Sequence, residues 1–298
     1  MSERGTDAWR DEVLAWIAAV TGRHPTGEVT QRHRAWSTVL RVPTADGTVW
    51  LKEPAPGMAP EVGLHALLAR VAPDAVATPL AVDVEHHRLL LPDTGPSVRD
   101  DDGDPSAAMT AALPRYADLQ RRVAPHLDAM RDLGVPDATP AALPTRYDEA
   151  LATIGGRGHR DLVRRWCDEL AGTVPGTVDH QDLHVGNVLR DGRFADWGDA
   201  VLAHPFASLL VALGSLRRTL GVTEDDPTIT RPRDAYLEVF DDVAPHDELI
   251  RWTRTACRAG VVARALTWQR GAAGDPRFVD TPREVLDLVG DPDWLAGT

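Results

Sequence analysis

Apolar residues recur at helical spacing near the start of the chain, at Trp9, Val13, Trp16, Ile17 and Val20, and predict an amphipathic helix. The pattern then shortens to strand-like runs at Glu28 to His33, Thr38 to Val42 and Thr48 to Lys52. Pro60 opens a second helix, with Leu64, Leu67, Leu68 and Val71 on one face. Two further strands follow, the second ending in Leu89-Leu90-Leu91. Together these elements predict a small lobe over residues 1–95, built around an antiparallel sheet. Pro92-Asp93-Thr94-Gly95-Pro96 reads as a hinge, and beyond it, over 96–298, the pattern is mostly helical. Helical stretches are expected near 105–133, 144–172, 204–221, 231–242, 246–270 and 281–290. No internal repeat or low-complexity tract interrupts this order.

Composition narrows the class. With 298 residues, 43% of them hydrophobic, the chain suits a globular protein of one large or two modest domains. Neither a signal-peptide core nor an apolar run of roughly 18 residues occurs, so a cytoplasmic location without a membrane partner is expected. The net charge of -13 argues against nonspecific binding to nucleic acid. No feature points to a protein partner. Cys167 and Cys257 lie among apolar neighbours, where buried free thiols are expected. Asp100 to Asp104 does not alternate its acids as a calcium loop does, and reads as an acidic linker.

The chemistry concentrates in His180-Gln181-Asp182-Leu183-His184-Val185-Gly186-Asn187, followed by Ala195-Asp196-Trp197-Gly198-Asp199. Thr177 to Asp179 reads as a short β segment, Val188 and Leu189 as the next, and Arg193 to Trp197 as a third after the Asp191-Gly192 turn. Asp182 then stands on a loop apex, Asn187 closes the loop, and Asp196 returns beside it. One carboxylate can face a hydroxyl while an amide and a second carboxylate offer hard oxygen ligands for Mg²⁺ against nucleotide phosphates. The chain holds one lysine, Lys52, against thirty-one arginines. A compact ammonium fits between phosphate oxygens and a helix carboxylate where a planar guanidinium does not, so Lys52 is a candidate phosphate contact. Glu61, in the first turn of the Pro60 helix, either pairs with Lys52 or simply complements the helix dipole.

This segment resembles the catalytic loop and metal motif of the aminoglycoside phosphotransferase family, small-molecule relatives of the protein kinases. The resemblance implies an α+β, two-lobed protein-kinase-like fold and an enzyme that moves a phosphoryl group from ATP or GTP to a small-molecule hydroxyl. It further implies Asp182 as the catalytic aspartate, Asn187 and Asp196 as Mg²⁺ ligands, His180 as a loop brace and Lys52 as the contact to the α- and β-phosphates, with Glu61 as its partner. Leu91 and Asp93 would flank adenine through the hinge backbone. The phosphate-covering hairpin departs from the glycine-rich pattern. Arg32-His33-Arg34-Ala35-Trp36-Ser37-Thr38 has no glycine, leaving Ser37, Thr38 or Arg34 as donors, or an ordinary turn.

Asp196-Trp197-Gly198-Asp199 runs almost directly into His204-Pro205-Phe206, leaving no long segment on which a polypeptide could dock, so the acceptor is expected to be small. Trp197 should pack, and Asp199 should cap the following turn in preference to binding a second metal. Acids at Asp225, Asp226, Asp241, Asp242, Asp247 and Glu248, with Trp252 and Trp268 as ring platforms, would suit an aminoglycoside or amino sugar. The family also acts on macrolides, sugars, choline-like alcohols and amino alcohols. Two other readings are a zinc hydrolase using His180 and His184, and a pseudokinase that binds nucleotide without turnover.

Overall fold

The computed structural model describes residues 3–100, 103–272 and 274–297. Helix α1 (Asp7–Thr21) begins where the Thr6 hydroxyl accepts the Trp9 N–H and ends at Gly22, whose φ of 71° suits a left-handed cap. Strands β1 (Thr30–His33), β2 (Ser37–Thr44) and β3 (Gly47–Pro54) follow, then helix α2 (Pro60–Val71), β4 (Ala81–Asp83) and β5 (Arg88–Pro92). The five strands form one antiparallel sheet in the order β1-β2-β3-β5-β4. Period-two alternation turns Val49 and Leu51 of β3 towards α1, where they join Trp9, Val13, Ile17, Leu40 and Leu90 in a small core. Glu53 shares that face, held by Trp9 Nε1 at 2.9 Å and Arg88 Nε at 3.1 Å. Lys52, one position out of phase, therefore faces the other side of the sheet.

The second lobe contains α3 (Pro105–Val123), α4 (Leu127–Asp132), α5 (Leu143–Thr153), α6 (Arg160–Leu170), β6 (Thr177–Asp179), β7 (Val201–Ala203), α7 (Leu209–Leu220), α8 (Pro227–Glu238), α9 (His246–Gly271) and α10 (Thr281–Leu286). Its large core also takes in Leu64, Leu67 and Leu68 of α2, so that helix ties the sheet to the helical lobe. None of the described helices is long and apolar enough to cross a membrane.

Several expected boundaries move for identifiable reasons. Pro125 breaks the stretch near 105–133 into α3, a 3₁₀ turn at Ala124–His126 and α4. Gly155 and Gly156, both at positive φ, divide 144–172 into α5 and α6. The helix expected from 204 is preceded by a 3₁₀ turn at Pro205–Ser208, and α8 begins four residues earlier than its pattern suggested because Asp226 caps it. Val188-Leu189 and Arg193–Trp197 are not strands; they make only single bridges, Val188 to Phe194 and Leu189 to Ser97. The partner of β6 is β7, which lies beyond the whole motif. Asp104 caps α3 and Asp100 accepts from Ser97, while Asp101 and Asp102 of the acidic stretch lie outside the described residues.

Candidate active site

The motif loop rests on a buried polar platform. At the end of β6, Asp179 is fully buried; its Oδ1 accepts the Gln181 N–H at 3.0 Å and the Ser208 hydroxyl at 2.9 Å, and its Oδ2 accepts Gln181 Nε2 at 2.5 Å. Tyr116 of α3 places its hydroxyl 3.0 Å from the His180 backbone N–H and 3.1 Å from Ser208 Oγ. Gln120, one turn on, donates to the Val178 carbonyl at 2.8 Å and accepts from the Tyr236 hydroxyl at 2.6 Å. Burial raises the pKa of Asp179. His180 is also fully buried; its Nε2 lies 2.9 Å from the Ala195 carbonyl, and its ring packs on Trp197 with centroids 4.6 Å apart. The loop and the returning segment are thereby pinned together, and burial lowers the His180 pKa.

From this platform the candidate groups project into one cavity of about 170 Å³, lined by Lys52, Glu61, Asp182, Asp196, Asp199 and Arg264 among others. Lys52 Nζ lies 2.6 Å from Glu61 Oε1 and 2.6 Å from Asp196 Oδ1. Burial opposes the charge on Lys52, but Asp196 and Glu61 together outweigh it and its pKa rises. Glu61 is only 3% exposed, and burial lifts its carboxyl to about 7 despite the ammonium beside it. Asp196 has a half-exposed carboxylate that Lys52 holds down at about 2. Gln181 and Asp196, at φ of 60° and 65°, both occupy the left-handed region that costs a non-glycine residue energy, and both adjoin the reactive groups.

Asp182 is half-buried. Asn187 Nδ2 donates to its Oδ2 at 3.0 Å and to its carbonyl at 2.8 Å, and His184 Nε2 lies 3.5 Å from Oδ2. Burial favours the neutral acid, but His184 and Arg264 outweigh it, so the Asp182 pKa is lowered and the group stays ionised. Asp199 lies 3.3 Å from Arg264 Nη1, and burial raises it to about 6. It is paired with a cation on α9, and the turn-capping role expected for it is not among its contacts.

Asn187 and Asp196 suit a hard cation in donor type. With its Nδ2 committed to Asp182, Asn187 has Oδ1 left as a ligand, and Asp196 has Oδ2 beside the oxygen that Lys52 engages. No group of three or more His, Cys, Asp or Glu side chains placed to hold a metal occurs among the described residues. A cation here needs phosphate and water oxygens as well, which is how Mg²⁺ is commonly bound. The same geometry disfavours zinc. The His180 ring faces a carbonyl, and His184 Nδ1 accepts the Gly186 N–H at 2.9 Å while Arg99 approaches it at 3.0 Å.

Other expected residues fall elsewhere. Ser37 is buried opposite Pro54 in the sheet and does not line the cavity; the residue before it, Trp36, does. The β1–β2 connection is an ordinary hairpin turn in which the Arg34 N–H bonds the Ser37 carbonyl at 2.8 Å. Leu91 pairs with Trp50, and the Asp93 N–H is used by the Thr48 carbonyl at 3.2 Å, so neither side chain enters this cavity. Asp225 is exposed, Asp226 is consumed as the N-cap of α8, and Trp252 packs half-buried on the large core. Of the acceptor candidates only Trp268 lines the cavity. Asp242 pairs with Arg121, and Glu248 lies 3.4 Å from Arg251. Sequence reasoning missed Arg264, Trp36, Met58 and Thr267. Arg264 did carry a signal, as a charged residue inside the otherwise apolar Ala259–Ala265 run of α9.

The fold is the two-lobed protein-kinase-like fold of small-molecule phosphotransferases. Among solved structures, a choline/ethanolamine kinase family protein from Mesorhizobium loti superposes with a TM-score of 0.62 at 15% identity, covering 97% of this chain and 97% of that one. A spectinomycin phosphotransferase in complex with ADP and spectinomycin gives 0.55 at 10% identity, over 96% of this chain and 98% of that one. An amicoumacin kinase in complex with AMP-PNP, Ca²⁺ and Ami gives 0.53 at 12% identity, over 94% of this chain and 93% of that one. No family sequence model and no curated protein matches the chain.

Proposed function

We propose that this chain is a small-molecule kinase that transfers the γ-phosphoryl group of ATP or GTP to an alcohol. The observation that carries the reading is one ammonium, Lys52 Nζ, held 2.6 Å from both Glu61 and Asp196 in the cavity that Asp182 also lines. In this reading Asp182 is the catalytic residue. Its Oδ2 is fixed by Asn187, so Oδ1 is the oxygen that orients the acceptor hydroxyl and takes its proton late in transfer. Lys52, fixed by Glu61, offsets negative charge on the α- and β-phosphates. Asn187 and Asp196 would hold Mg²⁺, which when bound supplies charge neutralisation across the β- and γ-phosphates. The Leu91–Asp93 segment at the end of β5 is the proposed adenine edge, offering carbonyl oxygens, since Pro92 has no N–H and the Asp93 N–H is taken by the Thr48 carbonyl. β4 pairs with β5 only as far as Leu90, leaving the positions beyond it without a strand on that side.

The neighbours of this fold include proteins solved with ADP or with AMP-PNP and Ca²⁺, which supports nucleotide and divalent-ion use here. The pseudokinase alternative loses its usual basis because the lysine, the catalytic aspartate and both candidate metal ligands are all present. The test is acceptor-dependent release of ADP or GDP across a panel of hydroxylated metabolites and antibiotics, with Mg²⁺ and Zn²⁺ compared. Turnover that persists undiminished in Asp182→Asn would refute the assignment.

A further inference from the structure

The acceptor end of the cavity carries a charge pattern that its occupant has to match. Asp182 presents Oδ1 there, and facing it at 3.7 Å is Nη2 of Arg264, too far for a direct hydrogen bond. The rest of that guanidinium is committed. Nη1 donates to the Gln181 carbonyl and lies 3.3 Å from Asp199 Oδ2, Nε is enclosed without a partner among the described residues, and the plane stacks on Trp268 at 5.2 Å. Arg264 is only 8% exposed, so it cannot swing away to solvent without leaving Asp199 behind. Nη2 makes no hydrogen bond to a described residue, and it is the donor left beside the oxygen that receives the acceptor hydroxyl.

Building on the kinase reading above, we propose that Arg264 is the specificity-determining residue for the acceptor, and that the acceptor is a vicinal diol, a sugar or polyol with an oxygen on the carbon next to the phosphorylated hydroxyl. Adjacent diol oxygens can each take one partner at about 2.8 Å, one donating to Asp182 Oδ1 and the other accepting from Arg264 Nη2. An amino alcohol fails the same test. Its ammonium would meet a guanidinium, and like charges held in contact discriminate strongly. Asp199, the other carboxylate at this end, is already engaged by Arg264. The acids that an amino sugar needs are elsewhere, Asp226 in a helix cap and Asp242 in an ion pair.

Matched pairs that differ only in hydroxyl against ammonium, glucose with glucosamine and scyllo-inositol with streptamine, test this by titration calorimetry on the AMP-PNP–Mg²⁺ complex and by kcat/KM with ATP. The hydroxyl member should bind and react at least about tenfold better in each pair. Arg264→Gln should bring the ratio close to one, and Arg264→Lys should keep the bias against ammonium while weakening the diol. Circular dichroism checks that both variants fold. Equal or better use of the amino member, binding of neither member at millimolar concentration, or an unchanged ratio in Arg264→Gln would overturn the assignment. If AMP-PNP itself fails to bind, the kinase reading falls and takes this one with it; amine preference with nucleotide bound removes only the acceptor assignment.

Discussion

Removing one oxygen atom from Tyr116 should loosen the motif loop from below. In Tyr116→Phe the ring keeps its contacts with Phe194 and Trp197, at centroid distances of 5.3 and 6.3 Å, so no cavity opens. What is lost is the acceptor of the His180 backbone N–H at 3.0 Å and one neighbour of Ser208 Oγ at 3.1 Å, both fully enclosed. An abandoned buried donor costs about 1–3 kcal/mol. For a chain of this general size, each kcal/mol lowers Tm by roughly 2–4 °C. The His180 amide precedes Asp182 by two residues, so the same change should also reduce turnover several-fold with little effect on nucleotide affinity. Tyr147→Phe is the control. That hydroxyl bonds the Arg157 carbonyl and the His159 N–H at 2.9 Å each, away from the cavity, so a similar loss of stability should leave turnover intact. Thermal melts and initial rates on the two variants decide it. A Tyr116→Phe protein within about 0.3 kcal/mol of the parent would show that water or relaxation satisfies the amide and that the platform argument is wrong.

Asp182→Asn should lower kcat by at least about a hundredfold while AMP-PNP binding survives, measured by calorimetry alongside steady-state rates. Lys52→Ala should weaken nucleotide binding, turnover or both. Lys52→Arg should recover little, because a planar fork cannot occupy a point 2.6 Å from two carboxylates on different elements. Two buried histidines should each subtract stability in mild acid. Burial pushes His65 down to about 4 and His204 down to about 3, so the folded chain keeps both neutral while the unfolded chain protonates them near 6.5. Their contribution is therefore complete above pH 6.5 and drains away as pH drops towards 4 and 3. Glu61 and Asp199, raised by burial to about 7 and about 6, act in the opposite sense over this range, so the test is a difference: the urea midpoint of the parent relative to His65→Gln should decline between pH 7 and 5, and an unchanged difference would exclude His65 from the effect.

The readable parts of this chain were those in which chemistry is local. Asp182, Asn187 and Asp196 stand close enough in sequence for a single folded-back segment to unite them, and Lys52 announced itself against a background of arginine. Elements with long apolar periodicity, α1, α2 and α9, were equally plain. What escaped was set by packing between distant segments. β7 is only three residues long and looks like the approach to a helix until β6 is placed beside it. At the β1–β2 turn, the position of the hairpin decided whether Ser37 or Trp36 faced the cavity, and the intended hydroxyl ended inside the sheet. Arg264 lies eighty-two residues after Asp182, and no spacing rule joins them. The acidic residues near 225 and 242 attract attention by composition alone, while their tasks are capping and pairing at the periphery.

The scarcity of lysine gives the site a chemical label of its own. Apart from the α-amino terminus, Lys52 is the chain's sole primary amine. Its raised pKa and two carboxylate partners make it a sluggish nucleophile, so acylating reagents used near neutral pH should leave it unmodified in the folded protein. Denaturation frees the amine, and the mass gained at this single position then reports how intact the cleft is, molecule by molecule.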